Sequence, residues 1–351
     1  MTRAAVQVVS RVSVQMSAIV LAVASMGAAQ AADNGLQRYS PGVGGSDMTA
    51  PLVPGTYFQI PLVAYHAKKI KGGDGRQATS WTKDSGGALL PYRANASIDA
   101  STQVLLPRLT YLSTDKVLGA NIGLTAMLPL VRREATFGLV VPTLAAAHPL
   151  NQGLQATAAG MSGRTTGLGD VEVSPIMHWE LAENQTVVFA PTLVLPTGDY
   201  DAAQRLNPGF GNFVTFRPSV QYAYIGDGWD VGARAVLSFN TRNKDNGYYS
   251  GNMFNLDYQL MKFVSEDVRV GLQGYFVRQL SDDTQKLDGL SPTWAKEIID
   301  GNKMRVNAAG PAVGWLPNGG EFLLEGKFLK EWGARNRTEG QAWWLTFSKP
   351  L

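Results

Sequence analysis

"VEVSPIMHWELAENQTVVFAPTLVLP", residues 171–196, decides the fold. Val171, Val173, Met177, Trp179 and Leu181 share one parity, while Glu172, Ser174, His178 and Glu180 share the other. A period of two is the mark of a strand whose two faces meet different surroundings. A second alternating run follows "AENQ", so the stretch reads as a hairpin.

The pattern repeats along the chain. From Thr56 onward about twelve such segments are found, at 56–67, 103–112, 118–131, 170–181, 186–196, 213–225, 229–240, 253–264, 268–279, 304–316, 321–332 and 341–350. Connections at 113–117, 182–185, 226–228, 265–267 and 317–320 are tight. Those at 68–97, 132–169, 197–211, 241–252, 280–303 and 333–340 are longer. Asp227-Gly228 is a dipeptide that tolerates the positive φ of a tight hairpin turn. Short turns on one rim and long loops on the other describe an all-β, transmembrane antiparallel up-and-down β-barrel. An even strand number puts both termini on the short-turn rim. The alternative is an exported β-sandwich, which alternates too but has no rim asymmetry. Tyr222, Tyr224, Trp229, Trp179, Trp315, Trp343 and Trp344 fall near strand ends or in the last strand, as interfacial girdles require, although a sandwich core also takes aromatics.

Composition agrees. The 351 residues are 45% hydrophobic and only 17% charged, with 38 Gly, whereas a quarter charged is usual for a soluble domain. No Cys is present, which removes disulfide frameworks, thiolate nucleophiles and thiolate metal sites. His66, His148 and His178 lie far apart, against a His-rich metal centre. Residues 1–31 read as a signal peptide: Arg3 and Arg11, the apolar "SAIVLAVASMGAA", then "AQA" as cleavage site. A short transmembrane anchor fits less well, because the apolar run is brief and ends in small residues. Cleavage would lower the net charge from +3 by the two arginines, so no nucleic-acid partner is expected. Residues 32–55 are rich in Gly and Pro, a periplasmic linker or a plug segment, and 56–351 form the barrel.

In a barrel the apolar parity faces lipid and the polar parity the lumen. The lumen candidates are Arg108, Asn121, Glu172, His178, Glu180, Arg217, Gln221, Asp230, Arg234, Asn255, Asp257, Gln259, Arg269, Arg305, Glu325 and Lys327. Both charge signs are present in similar number. Arg–carboxylate pairs that stiffen the interior account for such a mixture, and so does a narrow path that selects solutes. No H-E-x-x-H, G-x-S-x-G or P-loop occurs, so no catalytic residue, cofactor or metal is assigned. "KGGDGR" (71–76) reads as a surface turn rather than a Ca²⁺ loop, for lack of further acidic ligands at regular spacing. His178 between Glu172 and Glu180 invites an acid–base reading, but an oxyanion site and a clear nucleophile are missing, leaving a lumen hydrogen-bond network.

"NGLQRYSPGVGGSDMTAPLVPGTY", "GLGDVEVSP" (167–175), "PTGDYD" (196–201), "LNPGFGNFVTFRPSVQY" (206–222) and "AAGPAVGW" (308–315) resemble the meta-pathway phenol-degradation family of exported outer-membrane proteins. The resemblance spans nearly the whole mature chain. It implies a β-barrel in the outer membrane of a Gram-negative bacterium and a role in uptake of aromatic or other hydrophobic compounds. Gly169-Asp170 and Gly198-Asp199 bracket the opening hairpin and read as architectural.

The sequence therefore predicts a channel for passive uptake of small hydrophobic solutes, gated at its periplasmic end by 34–55. The apolar "FGLVVPTLAAAHPL" of the 132–169 connection is expected either to capture the solute or to pack over the barrel mouth. A structural or surface-interaction barrel with a filled lumen is the alternative. Expected partners are outer-membrane lipid and lipopolysaccharide, the solute, and the barrel-assembly machinery. The terminal "TFSKPL" departs from a terminal aromatic, which weakens the expectation for that machinery.

Overall fold

The alternation in 171–196 is a hairpin in the structure, a computed structural model that describes residues 37–45, 53–83, 89–285, 303–317 and 320–351. The expected signal peptide lies outside the described residues. In chain order the first strands are β1 (Gly55–Lys71), β2 (Thr79–Lys83), β3 (Leu89–Leu105), β4 (Arg108–Val117), β5 (Ala120–Met127) and β6 (Leu130–Val140). Helix α1 (Pro149–Met161) precedes β7 (Gly163–Leu168), β8 (Glu172–Ala182), β9 (Gln185–Val194), β10 (Thr215–Gly226), β11 (Trp229–Asn240) and β12 (Tyr248–Tyr249). The rest are β13 (Met253–Phe263), β14 (Val268–Gln279), β15 (Thr284–Gln285), β16 (Arg305–Trp315), β17 (Leu323–Arg335) and β18 (Arg337–Pro350).

Hydrogen bonding runs β18-β17-β16-β14-β13-β11-β10-β9-β8-β5-β4-β1 and closes from β1 back to β18, a barrel of 12 antiparallel strands. The closing pair runs from Tyr57 opposite Pro350 to Lys71 opposite Arg337, with a one-residue bulge between Ala67 and Lys69. Closure leaves no unpaired edge around this ring, which hydrocarbon demands of a spanning sheet. β1 pairs with β4 over Gly55–Gln59 and with β3 over Leu62–Ala67. β3 with β4, β5 with β6, and β7 with β8 are thus three continuous barrel strands, broken at Leu106-Pro107, Leu128-Pro129 and 169–171. Proline offers no N–H to a ladder. The bonds Leu106 N to Pro61 O (2.8 Å), Leu128 N to Pro107 O (3.2 Å) and Gly169 N to Pro129 O (2.8 Å) carry the pairing across the breaks.

The tight turns follow backbone chemistry, with two departures from the sequence reading. Asp227 and Gly228 hold φ of 54° and 76°, as expected. The first tight connection is not 113–117 but Leu118-Gly119, at φ 52° and 80°, because β4 continues through that segment over a bulge. Nor is 333–340 a long loop: β17 and β18 run on to meet over Asn336 at φ 50°. There the buried Glu331 carboxylate accepts from Gly340 N (2.7 Å) and Arg337 Nη2 (3.0 Å) in place of ladder bonds. The alternation of short and long connections therefore fails at the last hairpin.

The outward parity forms an apolar belt, with Leu109, Leu124, Leu193, Val220, Leu237, Leu260, Leu272, Val313 and Leu345 all exposed. Trp229 and Trp315 ring the short-turn rim, and Lys262 Nζ rests 5.3 Å from the Trp229 centroid with its charge reaching the boundary. Above the belt the outward surface turns polar: His66 and Lys68 meet Asp99 at 3.6 and 3.7 Å, and Lys69 meets Glu339 at 3.6 Å.

Two cores lie on the inward side. One fills the long-loop half of the barrel with Val63, Val104, Val236, Met253, Val277, Val306, Leu329 and Trp344. The other packs α1, through Leu150, Leu154 and Ala158, onto Ala94, Leu139 and Val141 of the β3–β6 extension. The 132–169 connection is thus strand, helix and strand, and many of its apolar residues bury one another.

Candidate functional site in the barrel lumen

Residues 37–45 lie inside the barrel. Arg38 is the upper anchor. Its guanidinium meets Asp170 at 3.0 Å and donates to Phe213 O (2.5 Å) and Gly211 O (2.9 Å), stacked 3.7 Å from the Phe213 centroid. Asp170 in turn accepts from Gly198 N (3.0 Å) and Phe210 N (3.1 Å). A Cβ on Gly198 would lie 2.8 Å from Gly169 C and from Gly209 Cα, so only glycines allow these backbones to meet. The Gly-Asp pairs are architectural, and they build the seat of the inserted segment.

Asp257 is the central anchor. Its carboxylate accepts from Tyr39 Oη (2.7 Å), Gly42 N (3.0 Å) and Gly44 N (2.9 Å). Gly42 holds φ 85°, and a Cβ there would stand 2.8 Å from Leu329 Cδ1 and 3.1 Å from Tyr275 Cδ1. Backbone N–H groups curved around a carboxylate form an anion nest. Lys327 Nζ supplies a third anchor, donating to Gly44 O at 2.6 Å.

Fourteen of the sixteen lumen candidates form this interior, and one network links several of them. Arg269 pairs with Asp230, Gln259 Nε2 donates to Asp230 at 2.5 Å, and Gln273 Nε2 donates to Gln259 (3.2 Å) and Glu325 (2.8 Å). Lys327 closes it, with Glu325 at 3.5 Å. Glu172 pairs with Arg217, whose other Nη donates to Arg38 O at 3.2 Å. Arg234 donates to Gln221 at 2.7 Å, and Arg108 to Gln59 at 3.3 Å. Asn121 and His178 face each other across β5 and β8, and Asn255 is fully buried opposite Val277. His178 makes no triad with its neighbours: Glu172 is taken by Arg217, and among the described residues the imidazole Nδ1 has no hydrogen-bond partner.

The remaining two candidates lie elsewhere. Glu180 keeps the inward parity but sits exposed beside the short turn. Arg305 faces outward, as does Asn307, because at that height Val306 and Ala308 fill the interior and are 0% exposed. Sequence reasoning missed Tyr39 and Glu331, and it reads Asp170 as architectural without its partner Arg38. Glu331 also takes hydrogen bonds from Tyr65 and Tyr275, both at 2.8 Å.

Below the inserted segment, toward the short-turn rim, lies a cavity of about 610 Å³. Tyr39 and Val43 form its ceiling, and Val53, Glu266 and Leu316 stand at its mouth. Its wall mixes apolar Leu106, Met127, Ile176 and Phe263 with Arg108, Arg217, Arg234, Arg269 and hydroxyl groups such as Thr110, Ser174 and Thr192. No group of His, Cys, Asp and Glu suited to a metal is found among the described residues.

An outer-membrane channel from Pseudomonas putida F1 has a similar fold, with TM-score 0.64 at 14% identity over 88% of this chain and 100% of that one. The β-domain of the Bordetella autotransporter BrkA gives 0.47 at 9% identity over 85% and 100%. A mutant of the TodX monoaromatic hydrocarbon channel gives 0.39 at 10% over 88% and 95%. No curated protein matches the chain in sequence. Residues 79–347 match a family model, and the chain accordingly belongs to the family described as "Putative MetA-pathway of phenol degradation".

Proposed function

We infer that the protein is an outer-membrane channel of a Gram-negative bacterium that admits small hydrophobic compounds, aromatic ones among them, by passive diffusion. One observation carries the reading: inside a closed barrel with an apolar belt, a cavity of about 610 Å³ opens toward the short-turn rim beneath a segment that hydrogen bonds seat in the lumen. An apolar cavity of about 150 Å³ accepts a benzene-sized molecule, so this one has ample room. Its apolar wall suits a ring and its hydroxyl and guanidinium groups suit a polar substituent. The family's description, phenol degradation, supports an aromatic solute.

Segment 34–55 acts as the gate in this reading, and residues 1–31 as a signal peptide removed on export. The barrel-assembly machinery inserts the chain, and no reaction is catalysed. The apolar core in the long-loop half of the lumen favours a second reading, a filled barrel that transports nothing. Planar-bilayer recording separates the two. A chain lacking 34–55 is expected to conduct more than the full chain; equal and negligible conductance of both favours the filled barrel.

A further inference from the structure

Arg305, expected in the lumen, leads instead to a site on the outer wall. It stands directly opposite Arg278 of β14 on one side and Arg335 of β17 on the other. Like charges directly opposite one another on a sheet are destabilising. Among the described residues no carboxylate lies within ion-pair distance of any of the three: Arg278 donates to Val277 O (2.7 Å), Val306 O (3.1 Å) and Asn307 Oδ1 (2.7 Å), which flattens its guanidinium on the sheet. On the flank formed by β1, β3 and β18 at the same end, the cations Lys68 and Lys69 do meet Asp99 and Glu339. Among the described residues, the uncompensated charge is therefore local to this row.

Its height identifies what would neutralise it. The next row toward the membrane places Phe276, Asn307 and Trp332 side by side, with Phe276 stacked on Tyr258 at 5.2 Å. Below these, Leu272 is 54% exposed in the apolar belt. The arginine row thus stands where the belt ends on the long-loop side, which in bacterial barrels is the cell exterior. An occupant needs an anionic head at this row and acyl chains lying down the aromatic row beneath it. Arginine is the side chain best suited to phosphate, through its planar fork of donors.

We propose that Arg278, Arg305 and Arg335 form a binding site for the phosphorylated headgroup of lipopolysaccharide in the outer leaflet. The site depends on the membrane placement of the barrel and not on what the lumen passes, so it stands or falls separately from the channel reading.

The test uses protein refolded free of lipopolysaccharide in detergent, with native mass spectrometry counting bound lipid during titration. The probes are bisphosphorylated lipid A, the same lipid dephosphorylated, and phosphatidylglycerol. The wild type is expected to retain bisphosphorylated lipid A at least tenfold more tightly than either other probe. Arg278→Gln/Arg305→Gln/Arg335→Gln, and to a lesser degree Arg305→Gln alone, weaken that binding at least tenfold and threefold respectively. Lys68→Gln/Lys69→Gln on the other flank leaves it unchanged. Heat-dependent gel migration reports whether each variant is folded, and the single variant decides the matter if the triple does not fold. Equal retention of dephosphorylated lipid A, or undiminished binding by folded Arg305→Gln, overturns the site. Equal retention of phosphatidylglycerol overturns the assignment to lipopolysaccharide.

Discussion

Replacing Asp257 by Ala removes the acceptor of three hydrogen bonds to the inserted segment, from Tyr39 Oη, Gly42 N and Gly44 N. A hydrogen bond to a charged group contributes about 1.5–3 kcal/mol, so the three together are worth roughly 4–5 kcal/mol at the low end of that range. Water entering from the cavity below would satisfy part of what is lost, leaving a net destabilisation of about 3 kcal/mol. At 1.4 kcal/mol per tenfold, the seated-to-released ratio falls by about a hundredfold. The barrel itself should survive, because backbone groups and not the Asp257 side chain pair β13 with β11 and β14, and the core residues Val236 and Val277 remain packed. Single-channel recording reads the effect directly: Asp257→Ala spends far more time open than the wild type and approaches the chain lacking 34–55. A folded Asp257→Ala with the wild-type open probability, beside a truncated chain that conducts freely, would refute the idea that this carboxylate holds the gate.

Three further outcomes follow from other contacts. Arg38→Gln breaks a pair whose side chains are 3% and 2% exposed, at a cost of about 3–5 kcal/mol; limited proteolysis should then cut near residue 38, and Arg38→Gln/Asp170→Asn should be cut more slowly. Gly198→Ala forces a methyl against the backbone of Gly169 and Gly209, costing about 1–3 kcal/mol. Its gel migration should convert from folded to unfolded at a lower temperature, and an unchanged midpoint contradicts the close packing. Leu154→Ala empties a site in the core under α1 at about 2–5 kcal/mol, so amide exchange across 149–161 should quicken while the barrel strands keep their protection.

The barrel was legible because hydrocarbon outside and polar groups inside impose opposite demands on alternate residues of β8, from Glu172 to Ala182. That rule has a domain. At Arg305 and Asn307 the strand has risen above the belt, where the outside is polar and the inside is a packed core, so parity read from polarity inverts. Turns were legible where the sequence carries turn chemistry, as at Asp227-Gly228, and hidden where Leu118 adopts positive φ without it. Helix α1 carries few start signals in the sequence: it begins from His148 as its cap and has no acidic residue in its first turn. The seat of the inserted segment depends on Tyr39 and Asp257, 218 residues apart, and no local pattern announces such a pairing. The Gly-Asp dipeptides did announce backbone packing, though not that Asp170 would receive Arg38.

The central claim is that this barrel lets small aromatic solutes through the outer membrane. Growth of a Gram-negative host on phenol as sole carbon source, at limiting concentration and with or without the gene, tests it most directly. The account predicts slower growth without the gene, restored by the wild-type chain and equalised between strains when phenol is abundant. Identical growth of the two strains at every concentration, with the barrel folded and present in the outer membrane, would contradict it.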